Sequence, residues 1–343
     1  FLQFLPVFVV VLVPVLVRSL ETNPWANLAL EEHLVDLCPE DEATLYLWQN
    51  AHTVVIGRNQ NAWSECRLEL LEKEGGRLAR RSTGGGAVYH DLGNLNFSFI
   101  MTRTLYNMNR QLGVILGALA ELGIEAEFSG RNDLLARGRK FSGNAYQLKR
   151  HCGLHHGTLL VSVDMERLSR YLQVDPEKLR SKGVRSVESR VINLGEIAPG
   201  LDMEALRLAL EKRFLEEYPH EDVARESGFP ANEAFEATRR RYSDPEWIYG
   251  KSPPCGVTVR RRFEWGLADL RFDVISGRVC NTVLYSDAMD GERICAIATA
   301  LDGLPFRWEV LAEAVRGVAP RSAEAADVAR WLENALHPEP REQ

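Results

Sequence analysis

A run of three glycines preceded by two arginines is the stretch of this sequence best suited to hold an anionic ligand. It reads RRSTGGGAVYHDLGN and spans residues 80–94. Glycine is entropically costly to order, so three in a row need a reason. Bare N–H groups can point at phosphate or carboxylate oxygens, and neighbouring arginines add charge-assisted hydrogen bonds. A plain glycine-rich turn between strands is the alternative, but the arginine pair before the glycines and HD-x-GN after them weigh against it.

A second candidate is Lys140, which lies between two glycines in the sequence GRKFSG. We expect it in a glycine-flanked turn, as a fixed cation that reaches an anionic centre. There it would offset the charge that builds up when a carboxylate attacks phosphorus. The alternative is an ordinary exposed lysine, and the polar sequence on both sides favours the functional interpretation. Nearby Asn132 and Asp133 could hold Mg²⁺ beside phosphates or could equally cap a turn.

Two histidines and one cysteine offer further chemistry. His155 and His156 are adjacent in a segment that we expect to be a strand, where successive side chains face opposite ways. We therefore expect one to face the core and one to face a pocket, rather than both to bind one metal ion. Cys152 could be an acyl-transfer nucleophile, although a cysteine beside basic residues also occurs by chance.

Composition restricts the class of protein. The chain has 343 residues, 45% of them hydrophobic, with a net charge of −7 and six scattered cysteines without a C-x-x-C. Its length suggests two domains, or one large domain with an appendage, and its acidity argues against a general nucleic-acid binder. The cysteine pattern is typical of reduced, cytosolic thiols. Neither a P-loop nor a G-x-G-x-x-G sequence after a strand is present, which excludes the common nucleotide-binding folds.

The N-terminal segment is almost wholly apolar from residue 1 to 17. It lacks the basic start of a secretory signal and is shorter than a membrane span. We predict a buried strand near Val13–Leu20 and, upstream, an extension without a catalytic role; a membrane anchor is the alternative.

The elements around the glycine stretch are predicted from local patterns. Asn23 and Pro24 begin a helix, and two strands follow it. Strands at Arg77–Arg81 and Asn94–Met101 enclose the glycine stretch, which we expect to connect neighbouring strands of one sheet. The segment DPEWIYGKSPP, rich in proline and glycine, is the predicted domain boundary.

Several motifs together carry a family resemblance. They are RRSTGGGAVYHDLGN, SGRNDLL, RKFSGNAY, HHGTLL and KGVRSVESRVINL, with NPWANLALEE and VVIGRNQNAW upstream. In order and spacing the chain resembles lipoate–protein ligase A from about Val17 to its end. The resemblance implies an α/β (α+β) fold with a large catalytic domain similar to biotin protein ligases and class II aminoacyl-tRNA synthetases, and a small α+β C-terminal domain. We expect an apolar extension at 1–16, the catalytic domain at 17–247, a linker at 248–254 and the accessory domain at 255–343.

The resemblance also implies a reaction. Lipoate would be activated with Mg-ATP to lipoyl-adenylate, with release of pyrophosphate. The lipoyl group would then pass to a lysine on a lipoyl domain of a 2-oxoacid dehydrogenase E2 subunit or of the glycine-cleavage H protein. A cytoplasmic monomer that binds neither nucleic acid nor membrane is expected. The alternatives are a lipoyl- or octanoyltransferase that uses a preactivated donor, and a non-catalytic lipoate-binding regulator, whose output would survive the loss of Lys140.

Site residues follow from the resemblance position by position. The implied ATP contacts are Arg81, Gly86, Ala87, Val88, Tyr89 and Lys140. The implied lipoate contacts are Arg80, Ser82, Gly84, Gly85, Lys140 and His156. A loop that covers the adenylate is implied at Lys182, Gly183, Ser186 and Arg190. Two features depart from the family: the apolar N-terminal extension, and a segment between Leu135 and Arg139 that is short and would trim a surface turn.

Overall fold

The structure is a computed structural model that describes residues 12–130, 132–173, 190–250, 257–275 and 277–334. These residues fall into two compact units. The first unit contains 12–53, 90–169 and 190–242, and the second contains 54–89, 170–173, 243–250 and 257–334. Each unit is therefore built from separate stretches of the chain.

Fourteen strands and twelve helices are found within the described residues. The strands are β1 Val13–Arg18, β2 Glu42–Trp48, β3 Thr53–Ile56, β4 Arg77–Arg80, β5 Val88–His90, β6 Asn94–Thr102, β7 Glu127–Phe128, β8 Asp133–Ala136, β9 Arg139–Leu148, β10 Cys152–Leu160, β11 Ala224–Ser227, β12 Val257–Phe263, β13 Gly266–Ile275 and β14 Arg278–Tyr285. The helices are α1 Pro24–Leu37, α2 Ala62–Glu65, α3 Leu68–Lys73, α4 Met108–Glu121, α5 Met165–Tyr171, α6 Leu194–Ile197, α7 Met203–Glu217, α8 Glu233–Ser243, α9 Pro245–Tyr249, α10 Gly291–Leu301, α11 Trp308–Val318 and α12 Ala323–Asn334.

The first unit is organised on an eight-stranded mixed sheet. Its strand order is β11-β1-β2-β6-β10-β9-β8-β7. Strand β1 runs parallel to both of its neighbours, whereas the other pairs are antiparallel. Helices α4 and α7 contribute Ile115 and Phe214 to the main hydrophobic cluster with the sheet. The mixed α/β class expected from the sequence is confirmed.

Strand β6 shows why the sheet has two different faces. Its residues alternate, so Leu95, Phe97 and Phe99 join the hydrophobic cluster. Asn94, Asn96 and Ser98 must then face the other way, because side chains alternate along a strand. All six are buried. The sheet therefore carries an apolar face for the core and a polar face that faces α1.

The expected N-terminal strand and first helix are confirmed. Strand β1 is buried through Val15, Leu16 and Val17, and residues 1–11 lie outside the described part of the chain. Asn23 caps α1, because its side chain accepts hydrogen bonds from the N–H groups of Trp25 at 3.0 Å and Ala26 at 3.4 Å. Satisfying these donors fixes the start of the helix.

A tight hairpin joins β8 to β9 and explains the short segment noted in the sequence. Arg137 has φ 50° and Gly138 has φ 71°, and Ala136 pairs with Arg139 across the turn. Two residues with positive φ form the hairpin turn that matches the twist of the strands. The prediction that places Lys140 in a turn is therefore wrong, because Lys140 is the second residue of β9.

The second unit contains the glycine stretch and corrects one prediction about it. Strands β4 and β5, which precede and follow the glycines, lie in a three-stranded sheet of order β4-β3-β5. They are not neighbours, since β3 lies between them, and β6 belongs to the eight-stranded sheet. The local pattern could not show this, because the strand that separates β4 from β5 comes earlier in the chain.

The C-terminal part of the second unit is a three-stranded antiparallel sheet, β12-β13-β14, with α10, α11 and α12. A separate hydrophobic cluster joins the sheet to the helices, as with Phe272 and Leu311. The expected small α+β C-terminal domain is confirmed. No helix in the described ranges has the length and apolar character needed to span a membrane.

Candidate functional site

Arg81 organises the glycine stretch from within the second unit. Its Nη2 donates to the carbonyl oxygens of Gly84 at 2.7 Å and Gly86 at 2.8 Å, and its Nε donates to the Thr83 hydroxyl at 3.1 Å. Arg81 is buried. The loop therefore curls around one guanidinium with its carbonyl groups turned inward.

The orientation of these carbonyls determines where the N–H groups point. In a trans peptide the N–H is opposite to the carbonyl, so the N–H groups of Gly85 and Ala87 point away from Arg81. The N–H of Gly85 donates to the Ala288 carbonyl at 2.8 Å. The N–H groups of Gly86 and Ala87 have no acceptor among the residues that the structure describes, and both residues are partly exposed. Two backbone donors are thus available to an anion beside a buried cation.

Two of the glycines could not be replaced without strain: Gly84 lies too close to neighbouring backbone for a side chain, and Gly85 has a positive φ angle. A Cβ on Gly84 would lie 2.2 Å from the Ala288 oxygen and 2.4 Å from the Met289 oxygen. Gly85 has φ +95°, a conformation that L side chains rarely adopt. The segment around Ala288 therefore packs directly on the glycine backbone, which explains part of the run without reference to a ligand.

We expect Gly84→Ala to destabilise the second unit by about 2 kcal/mol or more, because the new methyl group overlaps backbone that cannot rotate away. Thermal and urea unfolding of the intact chain measure this change. Gly113→Ala is the matched control: nothing lies within 4 Å of its Cβ, and alanine favours a helix. Equal stability of the two variants would contradict the packing described for Gly84.

Arg80 projects to the opposite side of β4 from Arg81. Its Nε donates to the carbonyls of Trp247 at 2.9 Å and Ile248 at 3.0 Å, and its Nη1 to those of Gly57, Arg58 and Gln60 at 3.1, 2.9 and 2.7 Å. Burial, only partly offset by Tyr285, lowers the pKa of the guanidinium to about 10. Arg80 thus fixes the start of the loop through protein carbonyls.

The other residues predicted in this stretch differ in accessibility. Ser82 and Val88 are partly exposed. Tyr89 is 1% exposed, and its ring lies 5.7 Å from that of Tyr171. The side chain of Tyr89 is therefore part of the packing, whereas its backbone continues the loop into β5.

Lys140 lies in the first unit, at the end of the β8–β9 hairpin. Its Nζ is 2.6 Å from Asp133 Oδ1. The ammonium also lies over Gly143, where a Cβ would approach Nζ to 3.0 Å. The side chain is 29% exposed, so its charge is positioned by Asp133 but remains accessible.

The segment that follows the predicted covering loop is attached beside Lys140. The Ile192 N–H donates to the Lys140 carbonyl at 2.9 Å, and Lys140 and Val191 form a parallel bridge. Arg190 directly precedes this bridge and is partly exposed. Lys182, Gly183 and Ser186 lie outside the described residues. The C-terminal end of the predicted loop is therefore fixed next to the lysine.

The predicted magnesium ligands are placed differently from one another. Asn132 uses its backbone carbonyl to accept from the Asn144 N–H at 2.8 Å, and Asp133 pairs with Lys140. Within the described residues no group of three or more His, Cys, Asp or Glu side chains could hold a metal ion. The Asp133 carboxylate has the oxygen chemistry that Mg²⁺ prefers, and the remaining ligands would have to come from phosphate and water. The magnesium site stays a prediction.

His155 and His156 face opposite sides of the sheet, as expected. His155 is on the core side, with Nδ1 3.0 Å from Gln111 Oε1 and Nε2 3.0 Å from Asn144 Oδ1. His156 is on the polar face, and its Nδ1 lies 2.8 Å from Glu31 Oε1. Ser98 donates to the same carboxylate oxygen at 2.5 Å. Glu31 thus orients the ring of His156.

The polar face holds further residues that the sequence reasoning missed. Trp48 Nε1 donates to Ser98 Oγ at 3.1 Å, which extends the network that begins at Glu31. Asn94 and Asn96 are joined by a side-chain hydrogen bond of 3.0 Å, yet Asn94 Oδ1 and Asn96 Nδ2 are buried without a partner among the described residues. The alternation of polar residues with Leu95, Phe97 and Phe99 was a signal that could have found this face. The His156 side of the sheet is therefore polar as well as enclosed.

Cys152 does not fit the role of a nucleophile. It is fully buried in a small hydrophobic cluster with Cys38. A hydrogen bond with Cys38, together with burial, raises the pKa of the Cys152 thiol far above its ordinary value. Since the thiolate is the reactive form, this thiol is inert at neutral pH.

Similarity to known proteins identifies the family. The sequence matches the family described as "Lipoyl protein ligase A/B catalytic domain" over residues 23–215 and "Bacterial lipoate protein ligase C-terminus" over 252–332. Plasmodium falciparum LipL1, solved in complex with lipoate, is 30% identical with a TM-score of 0.82, over 93% of this chain and 99% of that one. A bi-partite lipoate protein ligase from Thermoplasma acidophilum, solved in a study that includes its E2 lipoyl domain, is 31% identical with a TM-score of 0.61, over 72% of this chain and 99% of that one. A lipoate–protein ligase A bound with ATP is 28% identical with a TM-score of 0.59, over 70% of this chain and 99% of that one. The chain therefore belongs to the lipoyl protein ligase A/B family.

Proposed function

We propose that this protein is an ATP-dependent lipoate–protein ligase. In the first step a lipoate carboxylate oxygen attacks the α-phosphorus of ATP, a new P–O bond forms, and pyrophosphate leaves. In the second step the amine of an acceptor lysine attacks the acyl carbon, an amide bond forms, and AMP leaves with the electron pair of the broken bond. Family membership and relatives solved with lipoate and with ATP support the substrates.

The geometry of the glycine loop is the observation that best supports this proposal. The accessible N–H groups of Gly86 and Ala87 can donate to phosphate oxygens, and the buried guanidinium of Arg81 adds positive charge behind them. We assign ATP contacts to Arg81 and the backbone from Gly86 to Tyr89. Ser82, Gly84 and Gly85 belong to the lipoate loop, and Arg80 holds the start of that loop by its carbonyl contacts.

Lys140 supplies the activating cation in this proposal. Its exposed ammonium would contact the lipoate carboxylate and the α-phosphate, where negative charge accumulates as the mixed anhydride forms. The fixed attachment of Val191 and Ile192 beside Lys140 supports a covering loop over 182–190 that keeps water from the adenylate. Asp133 and Asn132 would hold the magnesium ion that accompanies ATP.

The proposed acceptors are apo lipoyl domains of 2-oxoacid dehydrogenase E2 subunits and the glycine-cleavage H protein. One relative was solved in a study that includes an E2 lipoyl domain, which supports the first of these. We further propose a monomer in the reducing cytoplasm; the described cysteines are free thiols, which is typical of such a compartment.

Pyrophosphate release tests the proposal directly. With ATP and lipoate but no acceptor, the protein should release pyrophosphate and accumulate lipoyl-adenylate. A transferase that uses a preactivated acyl donor would release none. Absence of release from a folded preparation, under conditions where a preactivated lipoyl donor is consumed, would replace the ligase by that transferase.

A positioning role for Glu31 gives a further expected result. Glu31→Gln should raise the KM for lipoate about 10-fold and leave the KM for ATP nearly unchanged. The reason is that Glu31 holds both His156 and Ser98, so the substitution disturbs more than one hydrogen bond and misplaces the His156 ring. Steady-state kinetics of pyrophosphate release measure both constants. Glu32→Gln is the control, because Glu32 instead contacts Tyr242 and Arg241. Equal effects on the two KM values would refute the assignment of His156 to lipoate.

A further inference from the structure

The second unit contains a cavity of about 520 Å³ that the proposed reaction does not use. It is open on one side and is lined by the segment Arg58–Gln60, helix α9, strand β14 and helix α10. Arg80 reaches it from β4, on the side of that strand opposite to Arg81. The cavity is therefore separate from the glycine loop, although both adjoin the end of β4.

Two buried polar groups of the lining residues have no partner within the described part of the chain. Gln60 is 1% exposed, and its Nε2 is buried without an acceptor. Thr282 Oγ1 is likewise buried without a partner. Arg80 uses Nε and Nη1 for its carbonyl contacts, and its Nη2 lies 3.6 Å from the position that a Cβ on Gly250 would take. Buried donors without partners are rare and costly, and one way to satisfy them is a ligand.

The charge of the cavity favours an anion. Among the residues that the structure describes, the Arg80 guanidinium contacts neutral carbonyls and no carboxylate, so these contacts do not neutralise its charge. Arg58 adds a second cation, whose nearest carboxylate is that of Glu292 at 3.9 Å. Glu246 is the acidic side chain of the lining. The Arg80 guanidinium and the Gln60 amide donor, which contact no carboxylate among the described residues, suit a negatively charged head group.

The remaining walls suit an apolar or planar group. Trp247, Tyr285 and Leu284 line the cavity together with Ala298. Aromatic and aliphatic walls with a few converging polar groups are typical of small-molecule sites. We propose that this cavity binds a small organic anion, with its carboxylate or phosphate head on Arg80 and Gln60 and its apolar part against Trp247 and Leu284.

Isothermal titration of the full-length protein with phenyl phosphate and with benzoate tests the site and distinguishes the two head groups. Thr299→Trp would fill the cavity from an exposed position of α10, and Ala296→Trp places the same bulk on an exposed position of that helix away from the lining. We expect at least one probe to bind with a Kd of about 1 mM or tighter. Its affinity should fall about 10-fold or more in Thr299→Trp and remain within about twofold in Ala296→Trp.

Two results would overturn the site: no binding of either probe to the wild-type protein, or equal affinity for Thr299→Trp and the wild type. Tighter binding of phenyl phosphate than of benzoate would assign a phosphate head, and the reverse would assign a carboxylate. Pyrophosphate release with lipoate and ATP should be unchanged in Thr299→Trp, since Thr299 has no part in the reaction. Loss of probe binding with normal release therefore separates this site from the proposed ligase activity.

Discussion

Lys140→Ala abolishes most adenylate formation while the protein stays folded. The expected loss is about 10²- to 10³-fold in rate, the range found when one preorganised charge that stabilises a transition state is removed. The physical reason is that Lys140 is held at 2.6 Å from Asp133 yet remains accessible, so its charge is positioned before any substrate binds. Mass spectrometry of the adenylate, formed from ATP and lipoate without an acceptor, measures the loss.

The control for this variant is Lys149→Ala. Lys149 is also a partly exposed lysine of the first unit paired with a carboxylate, that of Asp36 at 2.7 Å. It should retain wild-type yield, because its ion pair is near the surface and contributes little to stability. Similar melting temperatures for both variants show that the fold is intact. Wild-type adenylate yield from Lys140→Ala would remove this lysine from the chemistry.

Arg81→Lys lowers adenylate formation by about 10²-fold. Lysine cannot reproduce the planar fork that bonds Gly84 and Gly86 together, and each lost hydrogen bond to a charged group costs about 1.5–3 kcal/mol. The carbonyls would turn, and the N–H groups of Gly85 and Ala87 would no longer be held outward. Adenylate yield and hydrogen exchange of the amides at 84–87 measure the two effects in the same sample.

Arg77→Lys is the matched control, since Arg77 is exposed at the start of β4, the strand that directly precedes Arg81. It should change neither adenylate yield nor exchange. If Arg81→Lys keeps wild-type yield and amide protection, the guanidinium does not organise the loop in the way described.

Features set by neighbouring residues were predictable from the sequence. The Asn23 cap of α1 and the alternation in β6 both follow from local rules. The opposite orientation of His155 and His156 follows from the same alternation.

Features that join distant parts of the chain were not predictable from local pattern. Glu31 and His156 are 125 residues apart, and no periodicity connects them. The close approach of Ala288 to Gly84 likewise depends on packing of the C-terminal part of the second unit on the loop. A run of glycines therefore does not show which of its N–H groups can bind a ligand. The N–H of Gly85 is already bonded to a protein carbonyl, and the accessible donors are at Gly86 and Ala87.

The position of Lys140 shows a third limit. Flanking glycines suggested a turn, but the turn is formed by Arg137 and Gly138 alone. Gly143 instead leaves open space over which the Lys140 side chain lies. A glycine near a functional residue can thus leave space for a neighbouring side chain instead of forming a turn, and the sequence does not distinguish these two roles.

The most direct test of the ligase proposal is the intact mass of an acceptor domain. An apo E2 lipoyl domain is incubated with the protein, ATP and lipoate, and compared with reactions that omit ATP or lipoate or contain a domain whose acceptor lysine is replaced by arginine. The proposal predicts a gain of one lipoyl group only in the complete reaction. An unchanged acceptor mass in the complete reaction, with a folded protein that has bound lipoate, would contradict it.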